Sequence, residues 1–143
     1  MTVKQISVFL ENKPGKLADF TDVLSAQGVD MRALSIAEAS DFGIVRIIVD
    51  DVYNASTVLK DAGYICSITK VLAIEMPDEP GALSRIIRVL GNAGVNVEYM
   101  YAFTSSKKGR AYMIIRVADN EKAIDVLKSC GIRPICQDEL SEL

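Results

Sequence analysis

The sequence predicts an α+β fold made of one small unit written twice. Three observations carry this. Asn12-Lys13-Pro14-Gly15-Lys16-Leu17 returns as Asp78-Glu79-Pro80-Gly81-Ala82-Leu83, with Pro80 sixty-six residues after Pro14. Gly28-Val29-Asp30 returns as Gly94-Val95-Asn96 at the same offset. Between these landmarks, apolar residues recur every second residue in some stretches and every third or fourth in others, the periods of strand and helix. A chance dipeptide would not carry its downstream partners with it.

The elements follow in order. Segment 4–10 alternates, with Ile6, Val8 and Leu10 on one face, and reads as a strand. Loop 11–13 leads to a helix with Pro14 near its first position, where a missing N–H costs nothing. Leu17, Phe20 and Leu24 form its apolar stripe, and Gly28 closes it as a left-handed cap. A strand from 29 to about 38, a turn at Ser40-Asp41 and a strand from 43 to 50 come next. A helix over 52–62 buries Ala55, Val58, Leu59 and Ala62, spaced for one helical face, and Gly63 caps it. A last strand begins at Tyr64 and runs to 69.

The second copy follows the same order. Val71 to Met76 is a strand, and Leu83, Ile86, Ile87 and Leu90 are the stripe of the next helix, which Gly94 ends. Strands over about 96–104 and 110–117 are joined by a longer turn, so that Gly131 follows Gly63 by sixty-eight residues. The second helix buries Ala123, Val126, Leu127 and Cys130. A strand over about 132–137 and a short acidic tail complete the copy. Each copy therefore reads β-α-β-β-α-β, a ferredoxin-like unit with an antiparallel sheet and both helices on one face. The expected domains are 1–69 and 70–143. No Gly/Ser linker separates them, which predicts close packing of the copies.

Composition narrows the function. Half the residues are hydrophobic and the net charge is −3, so the chain is globular and no nucleic-acid partner is expected. The one basic cluster, Lys107-Lys108-Gly109-Arg110, reads as a solvated hairpin tip, with an anion contact as the minority reading. No apolar run approaches the roughly 20 residues that span a bilayer, so no membrane partner is expected. The N-terminus lacks a signal-peptide core, and the expected location is cytoplasmic. There is no histidine, which removes Ser-His-Asp and Cys-His catalysis and the commonest metal ligand. The three cysteines, Cys66, Cys130 and Cys136, suggest no disulfide framework. Cys130 takes the place of Ala62 and reads as a small core residue; the other two read as packing on the last strands.

The duplicated loop holds the chemistry. A helix mouth has unpaired N–H groups and a partial positive charge, and glycine lets a ligand approach the backbone. Together they suit a small anion such as a carboxylate. An Asn or Asp two residues before the proline suits an ammonium or hydroxyl. Asp30 and Asn96, at the strand starts, are expected near the same end of the sheet. Leu17 and Leu83 anchor the helices. The competing reading is that Pro-Gly is only a turn that starts a helix; its duplication with the Gly-Val-Asx landmark favours a site.

With these residues in place, the chain resembles a tandem pair of ACT domains, ligand-sensing modules of amino-acid biosynthetic regulation. Copy two carries Asp-x-Pro-Gly-x-Leu and Gly-Val-Asn as the family does; copy one departs, with Asn12 and Asp30. The resemblance implies two units paired side by side into an extended sheet, with ligand between the loop of one and the Gly-Val-Asx residue of its neighbour. It then implies one site from Asn12, Lys13, Pro14, Gly15, Lys16 and Leu17 with Asn96 and Val97. The other takes Asp78, Glu79, Pro80, Gly81, Ala82 and Leu83 with Asp30 and Met31. The first has a neutral polar pair and is expected to bind an amino acid more tightly. The second brings like charges together, which disfavours double ionisation. Met31, Val97 and Met76 are expected nearby, leaving room for an apolar side chain.

The expected function is an amino-acid-binding regulatory protein, not an enzyme, with a free amino acid as effector and an unidentified regulated protein as partner. No catalytic residue, metal or cofactor is expected, and a homodimer is. Two alternatives stand beside it: an assembly subunit without ligand, and a small ferredoxin-like enzyme.

Overall fold

The computed structural model describes residues 1–143. The chain divides into two compact units, one of Lys4–Thr69 and one of Lys70–Leu143 together with Met1–Val3. The first unit holds β1 (Val3–Glu11) from Lys4 onward, α1 (Lys16–Ala26), β2 (Met31–Glu38), β3 (Phe42–Val49) and α2 (Val52–Asp61). The strand β4 (Cys66–Pro77) begins in the first unit and continues into the second. There follow α3 (Ala82–Asn92), β5 (Val97–Phe103), β6 (Arg110–Val117), α4 (Asn120–Ser129) and a 3₁₀ helix over Gln137–Glu142.

In the first unit the strands pair antiparallel in the order β2-β3-β1. Ile6, Val8 and Leu10 of β1 stand opposite Ile47, Val45 and Gly43 of β3. The period of two sends these residues to one face, where Phe20 and Leu24 of α1 and Ala55 and Leu59 of α2 complete a buried core. In the second unit the order is β4-β6-β5, and Leu72, Ile74 and Met76 share a core with Ile86, Leu90, Ala123 and Leu127. Both helices of each unit thus pack on one face of its sheet, as the sequence predicts.

All four α-helices stop in the same way. Gly28, Gly63, Gly94 and Gly131 have positive φ. At the first, the Gly28 N–H donates to the Ser25 carbonyl and the Val29 N–H to that of Leu24, both at 3.0 Å. The same pair of bonds recurs after each helix, a Schellman closure that satisfies the last carbonyls. The second helices of the two units start alike. The Asp51 carboxylate accepts from the Asn54 N–H and the Asp119 carboxylate from the Lys122 N–H, both at 3.0 Å.

Three expectations need correction. Ala62 and Cys130 are exposed, because each is the C-cap residue, where the chain turns away from the core face. Segments 64–69 and 71–76 are not two strands but parts of the single strand β4. The strand expected over 132–137 is reduced to one bridge between Pro134 and Ile74, with the Ile135 N–H donating to the Ala73 carbonyl at 2.8 Å. Proline has no N–H for a ladder, which explains the single contact.

After that bridge the tail folds back as the 3₁₀ helix. Leu140 is fully buried, and the main-chain oxygen of Leu143 accepts from Ser105 Oγ at 3.0 Å and from the Ser106 N–H at 3.3 Å. Glu139 accepts two bonds from the Arg133 guanidinium, at 2.6 and 2.9 Å, and one from the Cys136 N–H at 2.7 Å. Cys136 therefore caps this helix and does not sit on a strand. Glu75 and Arg110 share a groove with Ile135, Glu139 and Leu143, which puts the tail on the sheet face away from the helices. On that face Tyr112 is buried and donates to Glu75 at 2.6 Å. Burial, and then this bond to a carboxylate, push its phenol up to about 12.

Two predictions follow from the tail. Leu140→Ala lowers the unfolding free energy by about 2–5 kcal/mol, the range for buried Leu-to-Ala changes, in urea titration. Glu139 titrates at about 2 in the fold, held down chiefly by the Arg133 hydrogen bond, against an ordinary 4.5. Its contribution is complete above pH 4.5 and is lost as the pH falls towards 2. Amide-exchange protection of Leu140 should fall over that window in the parent and be flatter in Glu139→Gln.

Candidate ligand-binding site

Each Pro-Gly segment forms the same turn. The Lys16 N–H donates to the Lys13 carbonyl at 3.3 Å, and the Ala82 N–H to that of Glu79 at 3.2 Å. Gly15 has φ 85° and ψ −18°, and Gly81 has φ 87° and ψ −12°. These are the third-residue angles of a type II turn, with proline in the second place, where its fixed φ fits. Pro14 and Pro80 thus lie two residues before the helix and not at its first position. The left-handed glycine is the N-cap.

Both loops are tied to the hairpin turn of their own unit. The Asn12 N–H donates to the Asp41 carbonyl at 2.9 Å, and the Asp78 N–H to the Gly109 carbonyl at 3.0 Å. Asn12 adds a longer bond, from Nδ2 to the Ala39 carbonyl at 3.4 Å, which leaves Oδ1 as an acceptor. Asp78 has no donor to copy this.

A cavity of about 490 Å³ opens beside the first loop. Leu10, Leu17, Ile36, Gly43 and Val45 form its apolar floor, and Glu11, Asn12, Lys13 and Glu38 its polar rim. Its volume lies in the range of small-molecule sites, about 300–1,000 Å³. Lys13 Nζ pairs with Glu11 at 3.0 Å, and this hydrogen bond, with the lysine charge, holds the exposed Glu11 carboxyl below its usual range. In α1 the Asp19 N–H already donates to the Gly15 carbonyl, while the Leu17 and Ala18 N–H groups lack a helical acceptor. The rim therefore offers an ammonium-binding carboxylate and amide oxygen, and a cation and N–H groups for a carboxylate.

The second loop has different surroundings. Glu79 pairs with Arg85 at 2.7 Å, a partner sequence reading did not supply. Ala82 is buried and Leu83 packs against the core of its unit.

Asp30 and Asn96 are not at the loop end of their own units. β2 starts at Met31 opposite Val49, whereas the loop-bearing end of β1 pairs Glu11 with Phe42. In the second unit Val97 stands opposite Val117, and Pro77 opposite Arg110. The intervening α1 or α3 carries the chain from one end of its sheet to the other. Asp30 is exposed and pairs with Arg32 at 3.7 Å, and Asn96 is exposed. Met31 and Val97 pack against the cores, and Met76 is buried in one, so none lines the cavity. Ile36, Glu38, Gly43 and Val45 were not singled out from sequence. The available signal was Gly43, a glycine inside a strand pattern.

Two units, each with a glycine turn bound to its hairpin and two helices on one face of an antiparallel sheet, define a tandem α+β fold. The family model for the ACT domain pair matches residues 1–143, and the chain belongs to that family. Among solved structures, protein BT0572 from Bacteroides thetaiotaomicron is 40% identical over 100% of this chain and 98% of that one, with a TM-score of 0.92. The regulatory subunit of aspartate kinase from Thermus thermophilus, in its ligand-free form, shares the fold at 15% identity. It covers 88% of this chain and 91% of its own, with a TM-score of 0.66. The structure of aspartokinase alpha and beta subunits matches at 17% identity over 90% and 91%, with a TM-score of 0.59. No curated protein matches.

The turn geometry is testable. Around Gly15 an added Cβ would meet nothing within 4 Å, so Gly15→Ala isolates backbone strain. It should cost about 1–2 kcal/mol in urea titration. Gly91, inside α3 with equal space and no positive φ, should instead gain about 0.4–1 kcal/mol as Gly91→Ala.

Proposed function

We propose that this chain is an amino-acid-responsive regulatory protein that acts through a partner enzyme of amino-acid metabolism and performs no catalysis itself. The observation that carries this reading is the cavity at the first Pro-Gly loop, with an apolar floor and a rim of both charges. A free α-amino acid matches that layout. Its ammonium meets Glu38 and Asn12 Oδ1, its carboxylate meets Lys13 or the first N–H groups of α1, and its side chain lies on the floor. Membership of the ACT domain pair family supports the reading, as does the fold shared with a subunit described as regulatory. The absence of histidine leaves catalysis without its commonest base.

The assembly reading has its own support, since Phe9 and Phe42 are 57% and 54% exposed on the first unit's sheet face away from its helices. A thermal-unfolding screen of the twenty amino acids separates the two. A ligand present at 100 times its Kd should stabilise the fold by about 2.7 kcal/mol. Lys13→Glu should reduce that shift. No shift with any of the twenty would remove the sensing reading and leave assembly.

A further inference from the structure

We infer that Gly43 opens the cavity of the first unit for a ligand side chain, and that bulkier residues at the matching places close its counterpart, so that each chain takes one amino acid. The inference rests on the amino-acid reading above and adds which unit binds and what sets the size of the side chain.

Register gives the direction. Gly43 stands opposite Leu10, two residues before Val45, on the strand face that packs against the helices. A Cβ built there would meet Ile36 Cγ2 at 3.5 Å and the Ala37 carbonyl at 3.4 Å, so it would enter the cavity beside its Ile36 wall. The φ of Gly43 is not positive, so the position does not require glycine for its backbone. In the second unit Ala111 stands opposite Met76 as Gly43 does opposite Leu10, and Met113 stands opposite Ile74 as Val45 does opposite Val8. Ala111 and Met113 pack against the core of their unit. The polar rim diverges too: Glu38 is replaced by Thr104, and Lys13 by Glu79, which Arg85 occupies. The second unit thus places more side-chain bulk where the first has Gly43 and Val45, and a different set of charges around it.

The test is calorimetric titration of the full chain with glycine, alanine, valine, leucine and phenylalanine, beside Gly43→Ala and Gly43→Val. The parent should bind its best aliphatic amino acid at one per chain. Gly43→Ala should weaken that ligand about tenfold or more, the scale of one methyl group in an apolar pocket. Gly43→Val should abolish its binding, while glycine or alanine keeps its parental affinity within about threefold in Gly43→Ala. The melting temperature without ligand guards against misfolding, and Gly43→Ala, with only ordinary van der Waals contacts, keeps the test usable if Gly43→Val unfolds. Two ligands per parent chain, or an unchanged affinity of Gly43→Ala for the aliphatic amino acid that the parent binds best, would overturn this inference and leave the sensing reading standing. No binding heat with any amino acid would overturn both.

Discussion

The bond on which each unit depends is a single main-chain contact, from the residue two before the proline to the carbonyl at the tip of the β-hairpin. It joins the end of one strand to the turn between two others. The Pro-Gly turn then has only one direction in which to send the helix. A left-handed glycine makes that sharp entry without strain, whereas a residue with a Cβ would hold a disfavoured positive φ. The helix stripe lands on the sheet face carrying Ile6, Val8 and Leu10, or Leu72, Ile74 and Met76. Helix entry, core register and cavity position all descend from that constraint.

The copies keep this frame and differ in what they place around it. The first leaves Gly43 bare and rings the space with Glu11, Lys13 and Glu38. The second has Ala111 and Met113 at the matching places and pairs Glu79 with Arg85. They also differ on the outer sheet face. In the second unit the tail lies on it, held by Leu140, Arg133–Glu139 and the Leu143 oxygen. In the first, Phe9 and Phe42 remain exposed there. One frame thus supports two units with different surroundings at the loop and on the outer face.

What the sequence reveals is what local physics decides. The glycines that end the helices are legible because a positive φ is a property of a few residues. The helix stripes are legible because Phe20, Leu24, Ile86 and Leu90 repeat at the helical period. The misses share one cause, which is dependence on distant partners. Cys130 fits the apolar stripe, yet the helix ends there and turns it outward. The strand expected over 132–137 has suitable residues, but Pro134 denies the ladder its donor and Leu140 finds burial elsewhere. The cavity draws its floor from β1, α1, β2 and β3 and shows no motif of its own. Gly43 alone hints at it, and becomes informative only when compared with Ala111 at the matching place in the second unit.

The longer turn between β5 and β6 first shows itself as a change in repeat offset from sixty-six to sixty-eight residues. It is also where Ser105 and Ser106 grip Leu143, thirty-eight and thirty-seven residues away in sequence. A hairpin tip would ordinarily fray alone, on the timescale of local opening. Here it cannot open without releasing the tail, and the tail cannot lift without freeing the tip. Two segments that are each weak by themselves become one cooperative folding unit. The length difference between the copies is therefore not drift in a loop but the joint that turns two fraying ends into a single event.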